Sequence, residues 1–464
     1  MEYENLKDEL LSAVDAGLKY ARTVDKQAEF ELYLFYQNRA GVSIKQGVVD
    51  ASEGIVEGNA ARVARHNSVS FASSSGISID RIKRSINEAI ASLRSVSIKD
   101  KRFEDFCKPQ KPGKEGAFAS EILDLSKEEL IDLAEGMMKE GQEFDKRIQT
   151  AGSGCSAEWG GFAVGNTQGL LEASRSALNS CEVYCIAVDG EERRTGYEFD
   201  ITRERLIKTG GLGTKAAKRA VSLLGARKFN ETTVLPTIWE PRAAAAYVLI
   251  SLGQSASGEC VVEGRSPIGE KIGEEIANSR LTITDNGQNP SGINTDAIDG
   301  EGHPQQKTTL ISRGRLNRFL FDNYYAHIYG EESTGNCWRH GQPFGSTLPY
   351  ETSPIIRPKN LEVEPEHKNL EELIASIDGQ AIFIVDTPIG IFHSNVSTGE
   401  FSAVAQSIFL IEDGEKKWPL QPVSVSGNFY NGFKQLLDIG ADLETTPFAV
   451  ETPTLIFDGF SIVG

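Results

Sequence analysis

Histidine and cysteine, the side chains that most often hold a transition metal, are scarce here: six of each in 464 residues. The histidines are His66, His303, His327, His340, His367 and His393, and the nearest two are 13 positions apart. No helical histidine pair of the zinc-peptidase kind can form, which leaves a site assembled from distant histidines as the only histidine route to a metal. The cysteines are Cys107, Cys155, Cys181, Cys185, Cys260 and Cys337. They are too few for a disulfide framework and fit reduced thiols. Cys181 and Cys185 stand four apart in a strand-like segment, where both point to one face. No second pair completes a zinc site there, so two buried thiols are expected. No apolar run of about 18 residues occurs, so no membrane-spanning helix is expected. Met1-Glu2-Tyr3-Glu4 lacks a basic-then-apolar secretory pattern, and a cytoplasmic location is expected. Cations are in deficit: 48 Lys and Arg against 66 Asp and Glu, a net charge of −18. Such an acidic surface repels phosphate backbones and anionic lipid, which argues against nucleic acid or a membrane as partner.

What is present supports folded cores. Hydrophobic residues make up 39% and charged residues 25%, and the length suggests two or three domains. Leu6, Leu10, Val14 and Leu18 mark an amphipathic opening helix. Phe30 to Phe35, Val42 to Ile44, Val48-Val49, Ala60 to Arg65 and Ser68 to Ala72 alternate as strands do, with Gly and Asn turns between them. Ile82, Ile86, Ile90 and Leu93 form one face of a second helix. Residues 107–116, with two prolines and two glycines, are linker-like. Ser126 and Glu129 match a capping box opening a third helix. Gly165 to Gly169 signals a hairpin turn, and a helix is expected near Thr214 to Leu224. From Thr232 the texture becomes β-rich, interrupted by an apolar helix opening at Pro241. The expected class is α+β, with a mixed helix and antiparallel-sheet N-terminal region and a β-rich C-terminal domain. The divisions are 1–106, a linker 107–116, a middle α+β region 117–228, and 229–464.

Several apparent motifs fail on spacing. Gly210-Gly211-Leu212-Gly213-Thr214-Lys215 does not match a phosphate loop and reads as a lead into a helix. Gly253-Gln254-Ser255-Ala256-Ser257-Gly258 lacks the second glycine of a nucleophile elbow and follows a helix, not a strand. Cys260, just beyond, is a free-thiol candidate. Asp296 to Glu301 does not follow the EF-hand order, since Ile298 occupies a ligand position, and reads as a solvated turn.

Taken in order, the segments resemble the TldD/PmbA family over almost the whole chain. The resemblance rests on Gly41-Val42-Ser43-Ile44, Asp145-Lys146-Arg147-Ile148, Asn166-Thr167-Gln168-Gly169-Leu170 and Gly225-Ala226-Arg227-Lys228. It continues through Asp299-Gly300-Glu301-Gly302-His303-Pro304, Thr398-Gly399-Glu400-Phe401-Ser402 and Val425-Ser426-Gly427-Asn428. In that family, TldD-type subunits carry an H-E-x-x-x-H zinc motif and a cysteine near the C-terminus, whereas TldE/PmbA-type subunits lack them and pair with a TldD-type chain. Anchored on Gly273-Glu274, the motif falls on Leu249 to Gln254. Its histidine positions become Leu249 and Gln254, and its glutamate position becomes Ile250. No histidine lies between His66 and His303 to rescue it, and Ala441 to Val450 replace the cysteine segment. The resemblance therefore implies a TldE/PmbA-type subunit of a zinc metallopeptidase complex that cleaves unfolded peptides. It implies no catalytic, cofactor or metal residue in this chain, zinc in a TldD-type partner, and a heterodimer or higher assembly. Two alternatives stay open: an autonomous hydrolase using Ser255, Ser257, Cys260, His303 or His340, and a non-enzymatic homodimeric scaffold.

Overall fold

Long antiparallel strands dominate the first half of the computed structural model, which describes residues 1–93, 99–339 and 348–464. The order is α1 (Leu6–Val24), β1 (Glu29–Lys45), β2 (Val48–Arg65), β3 (Ser68–Ser75), α2 (Ile79–Leu93), α3 (Lys127–Phe144), β4 (Ile148–Asn166), β5 (Leu171–Asp189), β6 (Glu192–Thr202) and α4 (Leu212–Ser222). The hairpins follow from local chemistry. Gln46 and Gly47 both hold positive φ, as do His66 and Asn67, which is the two-residue turn that suits the strand twist. Between β4 and β5, the Asn166 side chain accepts from the amides of Gln168 and Leu170, and Gly169 takes φ of 101°.

These strands form a single six-stranded sheet in the order β3-β2-β1-β4-β5-β6. β1 pairs with β4 from Glu31↔Asn166 to Lys45↔Gly152. Residues 107–116 thus connect two halves of one layer, since β4 returns beside β1 after them. The segment is strapped down, with Cys107 buried and the Gly113 amide donating to Ala297 O at 2.8 Å.

Strand alternation divides the two faces of the sheet. The even positions Phe30, Leu32, Leu34 and Tyr36 pack beneath α1 and α2. Further along the same strand, Ala40, Val42 and Ile44 pack with α3 and α4. Helix apposition is close at α3–α4, where a Cβ on Gly213 would stand 2.0 Å from Met137 O. Cys155, Cys181 and Cys185 lie buried in this helix-covered layer as free thiols, which meets the expectation for Cys181 and Cys185. Burial pushes the Cys181 thiol up to about 12 and that of Cys185 to about 11. The odd positions Tyr33 and Phe35 face the other way and pack with Ile298 and Tyr350 of the second half.

The expected capping box is present. Ser126 Oγ accepts from the Glu129 amide at 3.3 Å, and Glu129 Oε2 accepts from the Ser126 amide at 2.9 Å. Ser126→Ala should cost about 1 kcal/mol, read from the thermal midpoint, with Ser126→Asp recovering most of it.

The second half is β-rich, as expected. β7 (Thr232–Trp239) leads into α5 (Pro241–Gly253) and the short α6 (Gly258–Val262). Pro241 occupies the first turn of α5, where its missing N–H costs nothing. β7 joins a larger sheet between the strands Leu455–Val463 and Gln380–Ile384. A second, six-stranded sheet includes Ile283–Asn286, Leu361–Val363 and Val450–Thr452. α5 is apolar on nearly every side because it is buried in the largest core, with Ala243 to Val248 all at 0% exposure. Among the described residues, no helix is long and apolar enough to cross a membrane.

Candidate functional site

The positions expected to replace zinc ligands lie together at the end of α5. Leu249 and Ile250 are half-buried and pack on the main core, while Gln254 caps the helix and is exposed. The strand Val450–Thr452 packs against α5, so the stretch aligned with the missing cysteine does stand beside the helix. Of the Ala441 to Val450 stretch, Val450 belongs to this strand, and Glu451 and Thr452 follow it. These residues do not fit zinc: Leu249, Ile250 and Val450 carry no donor atom, and the Glu451 carboxylate belongs to no group of three His, Cys, Asp or Glu side chains among the described residues. Among the described residues, no three His, Cys, Asp or Glu side chains gather as a metal site.

The described histidines stay dispersed. His66 is exposed in a hairpin turn, His367 and His393 are exposed, and His327 Nε2 stands 2.8 Å from Glu104. His303 is buried, its amide donating to Asp299 Oδ1 at 2.9 Å. His340 lies outside the described residues. The serines have structural employment. Ser255 donates to the Ser251 carbonyl within the helix, and Ser257 Oγ caps α6 by accepting from the Cys260 amide at 3.3 Å. Neither hydroxyl is held by a base.

The chemistry that the local sequence did not reveal lies between the two halves. Glu31 on β1 is 1% exposed, and its oxygens accept from Arg62 Nε at 2.8 Å, from Arg62 Nη2 at 2.7 Å and from Arg339 Nη2. Arg62 Nη2 also reaches Glu301 Oε1 at 2.7 Å. Arg339 Nε donates to Gly300 O at 3.0 Å, and its guanidinium lies 5.1 Å from the Tyr33 ring centroid. Asp299 accepts from the amides of Glu301, His303 and Cys337, each at 2.9 Å. Asp285 accepts from the Lys359 and Asn360 amides and from Asn336 Nδ2. The stretch Asp296 to Glu301 is therefore no solvated turn: Asp299 is 1% and Glu301 2% exposed. The Glu301 partner Arg62 lies 239 positions away, so spacing within the stretch carries no sign of it.

Burial and pairing act oppositely on these carboxyls. Burial pushes Asp285 up to about 6 despite its three donors. It also raises Asp322, where the charge of Glu301 adds to the effect. Burial works against the Glu301 charge as well, but Arg62 outweighs it and holds that carboxyl below its ordinary range.

Beside this network is a cavity of about 240 Å³. Its floor is the uncovered face of the first sheet, with Tyr33, Phe35, Gln37 and Glu158, and its roof includes Asp296, Trp338, Arg339 and Lys359. Leu249, Ile250 and Gln254 do not line it.

Known proteins share this architecture. A family model described as the PmbA/TldA metallopeptidase C-terminal domain matches residues 232–464, and one described as the central domain matches 120–224. The chain is 26% identical over 457 residues to the metalloprotease PmbA homolog of Buchnera aphidicola subsp. Acyrthosiphon pisum, covering 96% of this chain and 94% of that protein. It is 25% identical over 424 residues to the metalloprotease PmbA of Escherichia coli O157:H7, covering 87% and 85% respectively. The crystal structure of TldE from Thermococcus kodakarensis superposes with a TM-score of 0.87 at 23% identity, covering 97% of this chain and all of that one, a likeness of fold.

Proposed function

The chain belongs to the PmbA/TldD metallopeptidase family, and on that premise we propose that it is a TldE/PmbA-type subunit without a metal site of its own. It works with a TldD-type partner that supplies the zinc, and the pair cleaves unfolded peptides. What supports this reading is the end of α5, where Leu249, Ile250 and Gln254 stand at the positions that the resemblance, anchored on Gly273-Glu274, assigns to two imidazoles and a carboxylate. Zinc chemistry needs lone pairs to bind the ion and a carboxylate to take a proton from its water. Aliphatic carbons offer neither.

The role left to this chain is to shape the space in which a peptide lies. The first sheet has an edge suited to an extended chain. β3 pairs with β2 only over Gly58 to Arg65, and residues 48 to 55 of β2 are exposed. Unpaired backbone groups along such an edge accept an added strand without any catalytic side chain.

The test is elemental analysis and peptide cleavage with the purified full chain, alone and with a TldD-type partner. The chain alone should hold no stoichiometric zinc and leave an unfolded peptide intact, and cleavage should begin when the partner is added. Stoichiometric zinc, or cleavage by the chain alone, overturns the proposal.

A further inference from the structure

The cavity between the two halves has one charged group that the fold does not use. Glu158 lies midway along β4 and lines the cavity floor. Its carboxylate accepts no hydrogen bond and joins no ion pair among the described residues. The cross-strand neighbour Arg39 is the nearest charge that favours its ionisation, yet Arg39 is exposed and makes no ion pair with it. Burial raises the Glu158 carboxyl above its ordinary range. A partly buried carboxylate with two idle oxygens is costly to keep unless something pairs with it.

The other charges in the wall are already matched. Arg339 is paired with Glu31 and stacked on Tyr33. Lys359 donates to Cys337 O at 2.8 Å, lies 4.4 Å from the Trp338 ring centroid, and has the charges of Asp299, Asp296 and Asp285 around it. Asp296 accepts from Ser174 Oγ at 3.1 Å and has Arg203 and Lys359 as its favourable charges. The unmatched charge in the wall is thus that of Glu158; the neighbouring Gln37 amide and the buried Arg339 Nη1 are likewise without a hydrogen bond among the described residues. The rings of Tyr33, Phe35 and Trp338 complete the wall. A carboxylate without a partner suits a small cation that donates several N–H groups.

We propose that this cavity receives a primary ammonium group of a peptide, with Glu158 as its counter-charge. The ammonium has two sources, a free peptide N-terminus or a lysine side chain, and both present the same three N–H donors. This deepens the peptide-handling role above and borrows its ligand class. In that role, the cavity holds one ammonium-bearing point of the substrate while the partner performs the chemistry elsewhere.

The experiment uses the purified full chain without partner or zinc. Binding is followed by calorimetry and by the fluorescence of Trp338 in the cavity wall. The probes are a glycine-alanine pentapeptide with a free N-terminus, its N-acetylated form, and an N-acetylated form carrying one lysine. The free-amine peptide should bind saturably, and the lysine-free acetylated peptide about tenfold more weakly, the worth of one charge-assisted bond. Glu158→Gln should lose the same factor with a thermal midpoint that does not fall, because Glu158 makes no bond among the described residues and its buried charge opposes folding. If the acetylated lysine peptide recovers binding, a side chain can supply the ammonium; if it does not, the N-terminus is the source, and both results sustain the proposal. Absence of saturable binding, equal binding of the lysine-free acetylated peptide, or indifference to Glu158→Gln each overturns it. None of these outcomes touches the subunit assignment, which is decided by zinc content and cleavage.

Discussion

Glu31→Ala should lower the free energy of unfolding by about 3–5 kcal/mol, the cost of stranding buried charge. Glu31 is the shared acceptor of two guanidiniums, and its side chain is fully enclosed. Its loss leaves Arg62 with Glu301 as its carboxylate partner among the described residues and leaves Arg339 with a carbonyl and an aromatic ring. Neither guanidinium can discharge itself, since arginine stays protonated throughout the pH range in which proteins fold. Water would have to enter between the two halves. The measurement is the urea midpoint at unchanged slope. In a cycle with Arg339→Met, the double variant should lose less than the sum of the singles, because the second change removes one of the charges exposed by the first. A loss under about 1 kcal/mol for Glu31→Ala would show that the network is solvated and contributes little.

Trp239→Ala should cost a similar amount, about 3–5 kcal/mol. Trp239 ends β7 immediately before α5 and is 0% exposed. Its ring meets Tyr247 of α5 edge-on at 5.3 Å, with Phe401, Phe460 and Phe457 between 6.1 and 6.3 Å. Its Nε1 donates to Thr237 Oγ1 at 2.8 Å. Truncation opens a void among rings and leaves α5 poorly seated, so the thermal and urea midpoints should fall together. Trp239→Phe should recover most of the loss, since it refills the volume and gives up one local hydrogen bond. If Trp239→Ala leaves the unfolding midpoint in place, α5 is not anchored by this cluster.

The elements that were legible in the sequence are those whose signal is local. Leu6, Leu10, Val14 and Leu18 recur at helical spacing, and all four are buried in α1. Ser126 and Glu129 close their capping box across three residues. The hairpin at Asn166 to Gly169 is specified by a side chain that bonds amides two and four residues on. The Asp296 to Glu301 stretch reads as a solvated turn because acidic residues beside glycine usually mark exposed turns. Here Glu301 is buried against Arg62, 239 positions away.

Sequence alone determined the class, the helices and turns, and the chemical fact that Leu249 and Ile250 cannot grip a cation, since donor atoms belong to a residue wherever it is placed. Tertiary structure decided that residues on both sides of 107–116 share one sheet, that Glu31 meets Arg339 across 308 positions, and that Glu158 is left facing a cavity. Those outcomes depend on which distant surfaces close on each other. Packing and desolvation act through space, and neither leaves a periodic trace along the chain.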